Sequence, residues 1–525
     1  MSDRILVIQL ARTGDVIQTT PLLADLHRSN PEAKIDLLVL AGNDTVVEGM
    51  PGIGRVITLP EADMQRMNEE VAQAMGCQGT APLADAWLSG ADLPAYAEVY
   101  NVSAQWLGCW VMSRLQAGKK VGGIVTTAGE WIYTCDWGTY LPALLDFRPW
   151  NRVNLVDLFR GFAPRTDPPA AGFRPHLTRD SRWASGLPPG VRIGFNPGAS
   201  EPQRRYAPAA FVEVIRRCRE RGHLPVLLGA PMDRALCDDI AASCGGIPNF
   251  AGRTTIPEMA QLLSELSLVV SNDTGAVHMA AAVGTPVVGL FGVSAFFHET
   301  GPWGEGHLVL QAPLGDQAVL LDAISPELVM AAIEYRLGRG SREGFLDAVR
   351  GCPGVEAWQS ERIVDPTDPL GGVRYVPVSG ESPRGQEGVA QRLRRFIACH
   401  LDRPTEGASG SGSSASSVPP TTEAPCGNAS VLVGRLETLA ARARRLQALA
   451  SSDPESSILK TSVAQLQGQI DQALRSEPEE SPRSALLALT RWKLRMIGAE
   501  GGLAGVLDHQ RQVLDQAAGW IRTWD

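Results

Sequence analysis

The segment RILVIQLARTGDVIQTTPLLADLHRSNPEAKIDLLV, residues 4–39, decides the fold of this 525-residue chain. It begins with an apolar run at 5–10, passes through a polar turn at 11–15 into a helical pattern at 16–28, and reaches a second apolar run at 35–40. Two short apolar runs joined through a helix indicate a βαβ unit, with parallel strands and a right-handed crossover. The opening of the chain therefore predicts an α/β fold.

The same pattern returns in the middle of the chain. An apolar run at 191–195 precedes a helical pattern at 208–221 and a further run at 224–228, and strand-like runs at 267–270 and 286–291 follow. The sequence therefore predicts two α/β units in tandem, with a cleft between them. We place the first unit at residues 1–180 and the second at 181–340.

Composition narrows the class of protein. The chain is 44% hydrophobic and 20% charged with a net charge of −9, which is typical of a globular protein and disfavours a nucleic-acid partner. Its nine cysteines form no CxxC pair, so neither a zinc site nor a disulfide framework is indicated. The charged N-terminus leads directly into the first strand without a signal peptide's apolar core, so we expect a cytoplasmic protein.

The residues after 340 differ in character. An extension at 341–403 holds a β-like run at 372–378 and a basic amphipathic helix at 388–400, and a Ser/Gly/Pro/Thr tract at 404–430 has the composition of a flexible linker. Apolar residues in alternating steps of four and three then predict an all-α, coiled-coil-like module at 431–525. We expect it to be an independent antiparallel unit for self-association or partner docking; a plain solvated appendage is the alternative.

Aromatic residues of the module are suited to such docking. Trp492, Trp520 and Trp524 are the candidate anchors of the module. The uncharged stretch at 275–298 is long enough to span a bilayer, but it is interrupted by Pro286 and by glycines. It therefore predicts a buried helix, a turn and a buried strand.

The turn after the first strand holds a candidate catalytic residue. Loops at the carboxyl end of a parallel sheet face the ligand crevice, and Gly14 leaves the backbone uncovered where Asp15 begins a helix. Asp15 is therefore expected to point towards the cleft. The alternative is that Asp15 only caps the helix, a role that Asp favours.

The stretch SNDTGAVHMAAAVGTPVVGLFG, residues 271–292, predicts an anion site. A strand ends in Asp273, Thr274 and Gly275, and the helix that begins there presents amide N–H groups and the positive end of its dipole. His278 lies one turn further on the same side as Thr274, where it can donate to a phosphate oxygen. The alternative for His278 is an ordinary structural role.

Two more loops follow strands of the second unit. In NPGASEPQRR, residues 196–205, Arg204 and Arg205 can neutralise a leaving phosphate, although they can equally be surface charges. In the loop at 229–233, Asp233 is placed to bind ribose hydroxyls, although Asp after Pro is also an ordinary turn residue.

These segments resemble glycosyltransferase family 9, which includes the ADP-heptose:lipopolysaccharide heptosyltransferases. The likeness rests on residues 4–39, 193–215 and 252–292, which occur in the family's order, and nothing after about residue 339 shares it. It implies a GT-B type fold of two Rossmann-like domains facing a cleft. It also implies that Asp15 is the general base. The residues that it assigns to the donor's diphosphate are Asp273, Thr274, Gly275 and His278.

Two positions depart from the family's pattern. Asp233 stands near the family's ribose-binding acid, which is typically Glu. The family commonly has Lys two residues before Trp in the phosphate loop, where this chain has Arg204 two residues before Tyr206. Arg keeps the positive charge but is not equivalent to Lys at a tuned site, so the rate or the donor preference is expected to differ.

The resemblance implies inverting transfer of heptose from ADP-L-glycero-D-manno-heptose to a hydroxyl of lipopolysaccharide core or another surface glycan. The nucleotide sugar is a substrate, and neither a cofactor nor a metal is expected. The glycan or glycolipid acceptor would be met at the inner membrane face. A nucleotide-sugar epimerase on the same fold and a non-catalytic nucleotide-binding scaffold are the alternatives.

Overall fold

The architecture is known for most of the chain. This computed structural model describes residues 4–524 except 75–79, 127–128, 130, 149–150, 165–172, 293–295, 314–320, 364–369, 381–389, 392, 396, 398–400, 402–435, 442, 445, 447–464, 471, 474–486, 488–489 and 491–501.

The first unit is a six-stranded sheet in the order β3-β2-β1-β4-β5-β6, parallel except for β6, which runs antiparallel to β5. Its strands are β1 (Arg4–Gln9), β2 (Lys34–Leu40), β3 (Ile53–Leu59), β4 (Tyr96–Asn101), β5 (Ala117–Val125) and β6 (Trp131–Tyr133). Its helices are α1 (Thr13–Ser29), α2 (Glu61–Ala74), α3 (Pro82–Gly90), α4 (Trp106–Arg114), α5 (Asp136–Phe147) and α6 (Leu155–Arg160), with a 3-10 turn at Asp44–Val47.

The second unit is a seven-stranded sheet in the order β13-β12-β11-β10-β9-β7-β8. Its strands are β7 (Arg192–Asn196), β8 (Leu224–Leu227), β9 (Leu268–Asn272), β10 (Val287–Phe291), β11 (Leu308–Gln311), β12 (Glu356–Arg362) and β13 (Val373–Pro377). Its helices are α7 (Pro208–Glu220), α8 (Arg234–Ser243), α9 (Ile256–Ser264), α10 (Gly275–Val283), α11 (Phe297–Thr300), α12 (Pro326–Arg336) and α13 (Arg342–Arg350). Short 3-10 turns lie at Pro202–Arg204, Pro231–Asp233 and Leu321–Ala323, and the last helix of the chain is Gly502–Trp524.

Both sheets reverse their strand order next to a central strand. In the first, the chain adds β2 and β3 on one side of β1 and then β4 on the other; in the second, β8 lies on one side of β7 and β9 on the other. Ligands of open parallel sheets bind outside the carboxyl ends of the strands at such a switch point. The α/β prediction, with two sheets that are mainly parallel, is confirmed.

The uncharged stretch at 275–298 folds as the sequence predicts. It forms the buried helix α10, a turn at Gly284 and the buried strand β10. Among the helices of the described residues, none combines the length and the apolar character needed to cross a bilayer.

The extension at 341–403 adds two strands to the second sheet. β12 pairs antiparallel with β11, and β13 pairs antiparallel with β12. The sequence indicates only the second of these strands, because β12, EAWQSER, mixes charged and apolar residues without a clear alternation. The domain boundaries drawn from the sequence stay a prediction.

A buried ionic group joins the two units and the extension. Asp157 on α6 accepts hydrogen bonds from the Trp303 indole at 2.9 Å and from the Val373 amide at 3.2 Å, and it lies 3.7 Å from the Arg394 guanidinium. Burial raises the pKa of Asp157, while Arg394 and Arg160 oppose that rise. Because a buried charge that loses its partners is costly, this group resists separation of the parts that it joins.

The C-terminal module is described only in part. Gln510 donates to Gln467 at 2.8 Å, and Arg444 lies 3.7 Å from Asp515, so the last helix packs on two earlier segments. The buried apolar side chains between 436 and 521 belong to one cluster with those of 390–401 and of the first unit. The predicted linker at 404–430 and Trp492 lie outside the described residues, as does the side chain of Trp524, whereas Trp520 is buried.

Candidate active site

A cleft of about 760 Å³ lies at the two switch points. It is lined by the loops that follow β1, β7, β8 and β9 and by the first residues of α1, α9 and α10. All seven site residues that the sequence singles out line it: Asp15, Arg204, Asp233, Asp273, Thr274, Gly275 and His278. The structure therefore brings together residues up to 263 positions apart, while their chemical roles stay predictions.

The N-termini of two helices, α1 from the first unit and α10 from the second, meet in this cleft. A Cβ added to Gly14 would lie 2.9 Å from the Cδ2 of His278 and 3.6 Å from the Cα of Gly275. Glycine at position 14 therefore allows the two helix ends to approach each other. Since each end carries unpaired N–H groups and a partial positive charge, their meeting point favours an anion.

Asp15 is the third residue of α1, and the helix begins at Thr13 with Arg12 as its N-cap. The predicted helix start at Asp15 is therefore two residues too late. The alternative that Asp15 is the N-cap is wrong, because Arg12 holds that position. The carboxylate instead reaches back to accept the Arg12 amide N–H at 3.2 Å. Burial raises the pKa of Asp15, the contacts with Arg12 lower it, and the nearby charge of Asp273 raises it further. A raised pKa moves this carboxylate towards the range of an effective base.

Arg204 forms an ion pair with Asp273. Its Nη2 bonds the Asp273 carboxylate and also donates to the Asp273 carbonyl at 2.8 Å. Burial raises the pKa of Asp273, and the charge and hydrogen bond of Arg204 oppose that rise. Arg204 thus holds the loop that follows β9 as well as lining the cleft, and its Nε has no hydrogen-bond partner among the described residues. Its neighbour Arg205 donates to the Ala199 carbonyl at 2.7 and 2.9 Å, which fixes the loop rather than the ligand.

The start of α10 is ordered by side chains from two strands. Thr274 is the N-cap, and its Oγ1 accepts the Ala276 N–H at 3.3 Å while receiving a hydrogen bond from Asn196 at 3.0 Å. Asn272 donates to the Pro197 carbonyl at 2.9 Å and accepts the Tyr206 amide at 3.1 Å. The loops after β7 and β9 are therefore locked together, so the amide groups of α10 keep a fixed direction.

His278 is buried behind the Gly14 contact. Burial lowers its pKa to about 4, so the ring is neutral at neutral pH. Its Nε2 lies 3.5 Å from the Gln18 Nε2. A neutral imidazole has one N–H, so His278 can offer a ligand a single hydrogen bond but no charge.

Asp233 is buried between the loops that follow β7 and β8. Its Oδ2 accepts the Ala230 N–H at 2.9 Å, and its carboxylate lies against Gly198, where any side chain would collide with it. The residue lines the cleft, but one oxygen is already engaged with the backbone. Both the predicted ribose contact and the predicted turn role are compatible with this position.

Sequence reasoning missed several residues of the cleft. Gln18 and Asn196 carry no local signal of a site, because the contacts of Gln18 with His278 and of Asn196 with Thr274 join segments about 80 or more residues apart. An apolar corner is also new: it combines the 69%-exposed Met232 with Ile256 and Met259. Exposed Met beside a polar loop is a feature that only the structure reveals.

Comparisons with known proteins point to one family. Residues 96–320 match the family model for glycosyltransferase family 9 (heptosyltransferase). The chain is 25% identical over 299 residues to lipopolysaccharide heptosyltransferase 3 of Escherichia coli, covering 54% of this chain and 81% of that protein. It is 24% identical over 313 residues to lipopolysaccharide heptosyltransferase 1 of Pseudomonas aeruginosa, covering 55% of this chain and 78% of that protein.

The fold has a counterpart among solved structures. A glycosyl transferase family 9 protein from Veillonella parvula matches with a TM-score of 0.51 at 22% identity, covering 65% of this chain and 99% of the other. The family match begins at residue 96, so the Asp15 loop lies outside it. Assigning a role to Asp15 therefore depends on its geometry in this chain.

Proposed function

We propose that this chain is a member of glycosyltransferase family 9 and an inverting glycosyltransferase that moves heptose from ADP-L-glycero-D-manno-heptose to a hydroxyl of lipopolysaccharide core or another surface glycan. The observation that carries this proposal is the convergence of the α1 and α10 N-termini on one cleft beside the Asp15 carboxylate. An anion site next to a potential base is what transfer from a nucleoside diphosphate requires.

The reaction follows from these groups. Asp15 takes the proton of the acceptor hydroxyl, whose oxygen attacks the anomeric carbon from the face opposite the diphosphate. The bond between the anomeric carbon and the phosphate oxygen breaks, the configuration inverts, and the nucleoside diphosphate leaves with the bonding electrons. General-base assistance of this kind contributes roughly 10²–10⁴-fold.

The leaving group gains negative charge as the bond breaks. The amides at Thr274 and Gly275, the Arg204 guanidinium and the single N–H of His278 belong to residues that line the cleft, and we assign them to this charge. Donors that are fixed before the reaction stabilise such charge without reorganisation. The ion pair between Arg204 and Asp273 fixes one of them, so Asp273 acts through Arg204 and the loop rather than on the phosphate itself.

The far end of the cleft suits the nucleoside. Asp233 has one carboxylate oxygen not bonded to the backbone amide and is assigned to the ribose hydroxyls. The corner formed by Met232, Ile256 and Met259 offers a flat purine an apolar surface. The acceptor enters from the Asp15 side, and we place the reaction on the cytoplasmic face of the inner membrane, where a glycolipid acceptor is accessible.

A donor panel tests this function. The purified chain is incubated with ADP-heptose, other ADP-sugars and UDP-sugars, with and without a lipopolysaccharide-core acceptor, and the products are followed by mass spectrometry. We expect ADP release from ADP-heptose that depends on the acceptor. Failure to release a nucleoside diphosphate from any donor would contradict transfer, and an epimerised sugar nucleotide formed without acceptor would identify an epimerase instead.

A further inference from the structure

A second cavity, of about 200 Å³, lies at the opposite end of α10 from the donor cleft. It is bounded by the segment around Arg174, the loop at 303–307, the end of α12 and the strands β12 and β13 of the extension. The nine residues of α10 span roughly 13 Å at 1.5 Å per residue, so the two sites are separate.

Positive charge dominates this second cavity. Arg174, Arg336 and Arg362 line it, and the opposing carboxylate in the lining is that of Glu305. Among the described residues, neither Arg174 nor Arg336 forms an ion pair with Glu305 or with another carboxylate. The positive charge of these two arginines is therefore not neutralised within the cavity.

Two polar groups of the lining are buried without a partner. The His307 side chain belongs to a residue that is only 4% exposed, and its Nδ1 has no hydrogen-bond partner among the described residues. The Nε of Arg336 is likewise buried and unpartnered in the described part of the chain. An unmet buried donor or acceptor is costly, so an added partner for either group would be stabilising.

Glycines shape the loop that presents these groups. Gly304 and Gly306 have φ angles of 143° and 80°, which favour glycine. A Cβ at Gly304 would lie 2.9 Å from the His307 Nε2, and one at Gly306 would lie 2.7 Å from the Arg336 Nη2. The absence of side chains therefore lets the imidazole and the guanidinium lie directly against the loop at the cavity wall.

We propose that this cavity is a binding site for a single phosphate group, either free or carried on a sugar. Arginine forks bind phosphate through paired N–H donors, and two of them, Arg174 and Arg336, beside the His307 imidazole suit a compact anion. Burial and the charges of Arg336 and Arg174 lower the pKa of His307 to about 3, so the ring is neutral there and can contribute an N–H donor. The site does not depend on the reaction proposed for the donor cleft.

Histidine NMR tests phosphate binding in the second cavity, through His307, and follows the donor cleft, through His278, in the same titration. The chain has eight histidines, so ¹³C labelling at His Cε1 gives few signals, and those of His307 and His278 are assigned with His307→Gln and His278→Gln. Inorganic phosphate is titrated at pH 7, with sodium chloride at matched ionic strength as the reference. We expect phosphate alone to shift the His307 signal saturably.

Arginine variants locate the binding. Arg336→Gln and Arg174→Gln should each weaken phosphate binding at His307 by about tenfold, the loss expected for one charge-assisted hydrogen bond. Arg339→Gln removes the same charge three residues beyond Arg336, outside the cavity lining, and should leave the affinity unchanged. Arg174 is exposed, so its variant keeps the test valid if Arg336→Gln does not fold.

Other results would overturn the site. These are an unshifted His307 signal, a shift that chloride reproduces, a shift of His278 alone, or an equal loss of affinity in Arg339→Gln. A parallel titration with glucose 6-phosphate separates the two sources of the anion. Tighter binding than inorganic phosphate supports a sugar-borne phosphate, and equal or weaker binding supports the free anion.

Discussion

At the scale of single residues, Asp15 combines a proposed catalytic role with a structural contact. Asp15→Asn keeps the size of the side chain and an oxygen that can accept the Arg12 N–H, but removes the charge that a base needs. We expect kcat to fall by roughly 10²-fold or more, since that is the usual contribution of general-base catalysis. Nucleotide affinity, measured by calorimetry, should change by no more than a few-fold, because a base contacts the acceptor.

The competing explanation for Asp15 has its own signature. A purely structural contact at a helix start is worth about 1 kcal/mol. A loss of stability of that size in thermal unfolding, with an unchanged kcat, would contradict the catalytic assignment.

His278 gives a prediction about acid stability. Its pKa is about 4 in the folded protein and 6.5 when unperturbed, so between these values the unfolded chain binds the extra proton. The stability that the neutral, buried ring confers is therefore complete above pH 6.5 and is lost as the pH falls towards 4, by roughly 1.4 kcal/mol per pH unit. The raised pKa values of Asp15 and Asp273 act with the opposite sign.

A variant isolates the contribution of the histidine. His278→Gln keeps the two carboxylates and removes the titrating ring, so we expect its unfolding temperature to fall less than that of the unchanged protein between pH 6.5 and 5. Calorimetric scans at both pH values measure the difference. Equal decreases in the two proteins would mean that the ring is not held neutral.

At the scale of elements, the approach of α1 to α10 is the feature on which the anion site depends. Gly14→Ala places a methyl group 2.9 Å from the His278 ring, which must then move. Alanine is the better helix former by about 1 kcal/mol, so any loss arises from this contact and not from helix propensity. We expect nucleotide affinity to fall several-fold in calorimetry.

A second glycine provides the matched control. Gly90→Ala, at the end of α3, meets nothing within 4 Å. It should leave nucleotide affinity unchanged. If Gly14→Ala binds nucleotide as well as Gly90→Ala does, close contact between the helix ends is not needed for binding.

The helix N-termini in the cleft also lead us to expect sugar transfer without a metal ion. The cleft carboxylates are engaged: Asp273 pairs with Arg204, Asp15 accepts the Arg12 N–H, and Asp233 accepts the Ala230 N–H. Positive charge for the diphosphate then comes from helix amides and Arg204 rather than from a cation held by carboxylates. We expect full transfer activity in EDTA, and a strict requirement for Mg²⁺ or Mn²⁺ would refute this view of the site.

Elements were easier to predict from the sequence than contacts between them. Short apolar runs predicted β1 and β2 in the first sheet and β7 to β10 in the second, but not β3 to β6. The cleft loops could be placed because carboxyl ends of parallel strands share one edge. The start of α1 could not be predicted from the sequence, because its N-cap is Arg12, a residue type without capping preference. The pairing of Arg204 with Asp273 joins residues 69 positions apart, a contact that only the tertiary structure determines.

At the scale of the whole molecule, the extension is part of the α/β body. β12 and β13 widen the second sheet, and Asp157 ties α6 to Trp303, Val373 and Arg394. The ends of the two units opposite the cleft are thus joined by a buried polar group.

The C-terminal module leads to the last prediction, a cut at Gly407 that removes residues 408–525. Every residue lining the donor cleft lies between 12 and 300, so acceptor-dependent ADP release should be retained. The buried side chains of the module, Trp520 among them, share an apolar cluster with those of 390–401, so the cut uncovers apolar surface. We therefore expect a lower unfolding temperature and a changed oligomeric state, measured by calorimetry and light scattering. An unchanged oligomeric state and unfolding temperature would make the module a solvated appendage, and a truncated protein unable to fold or bind nucleotide would make it part of the catalytic body.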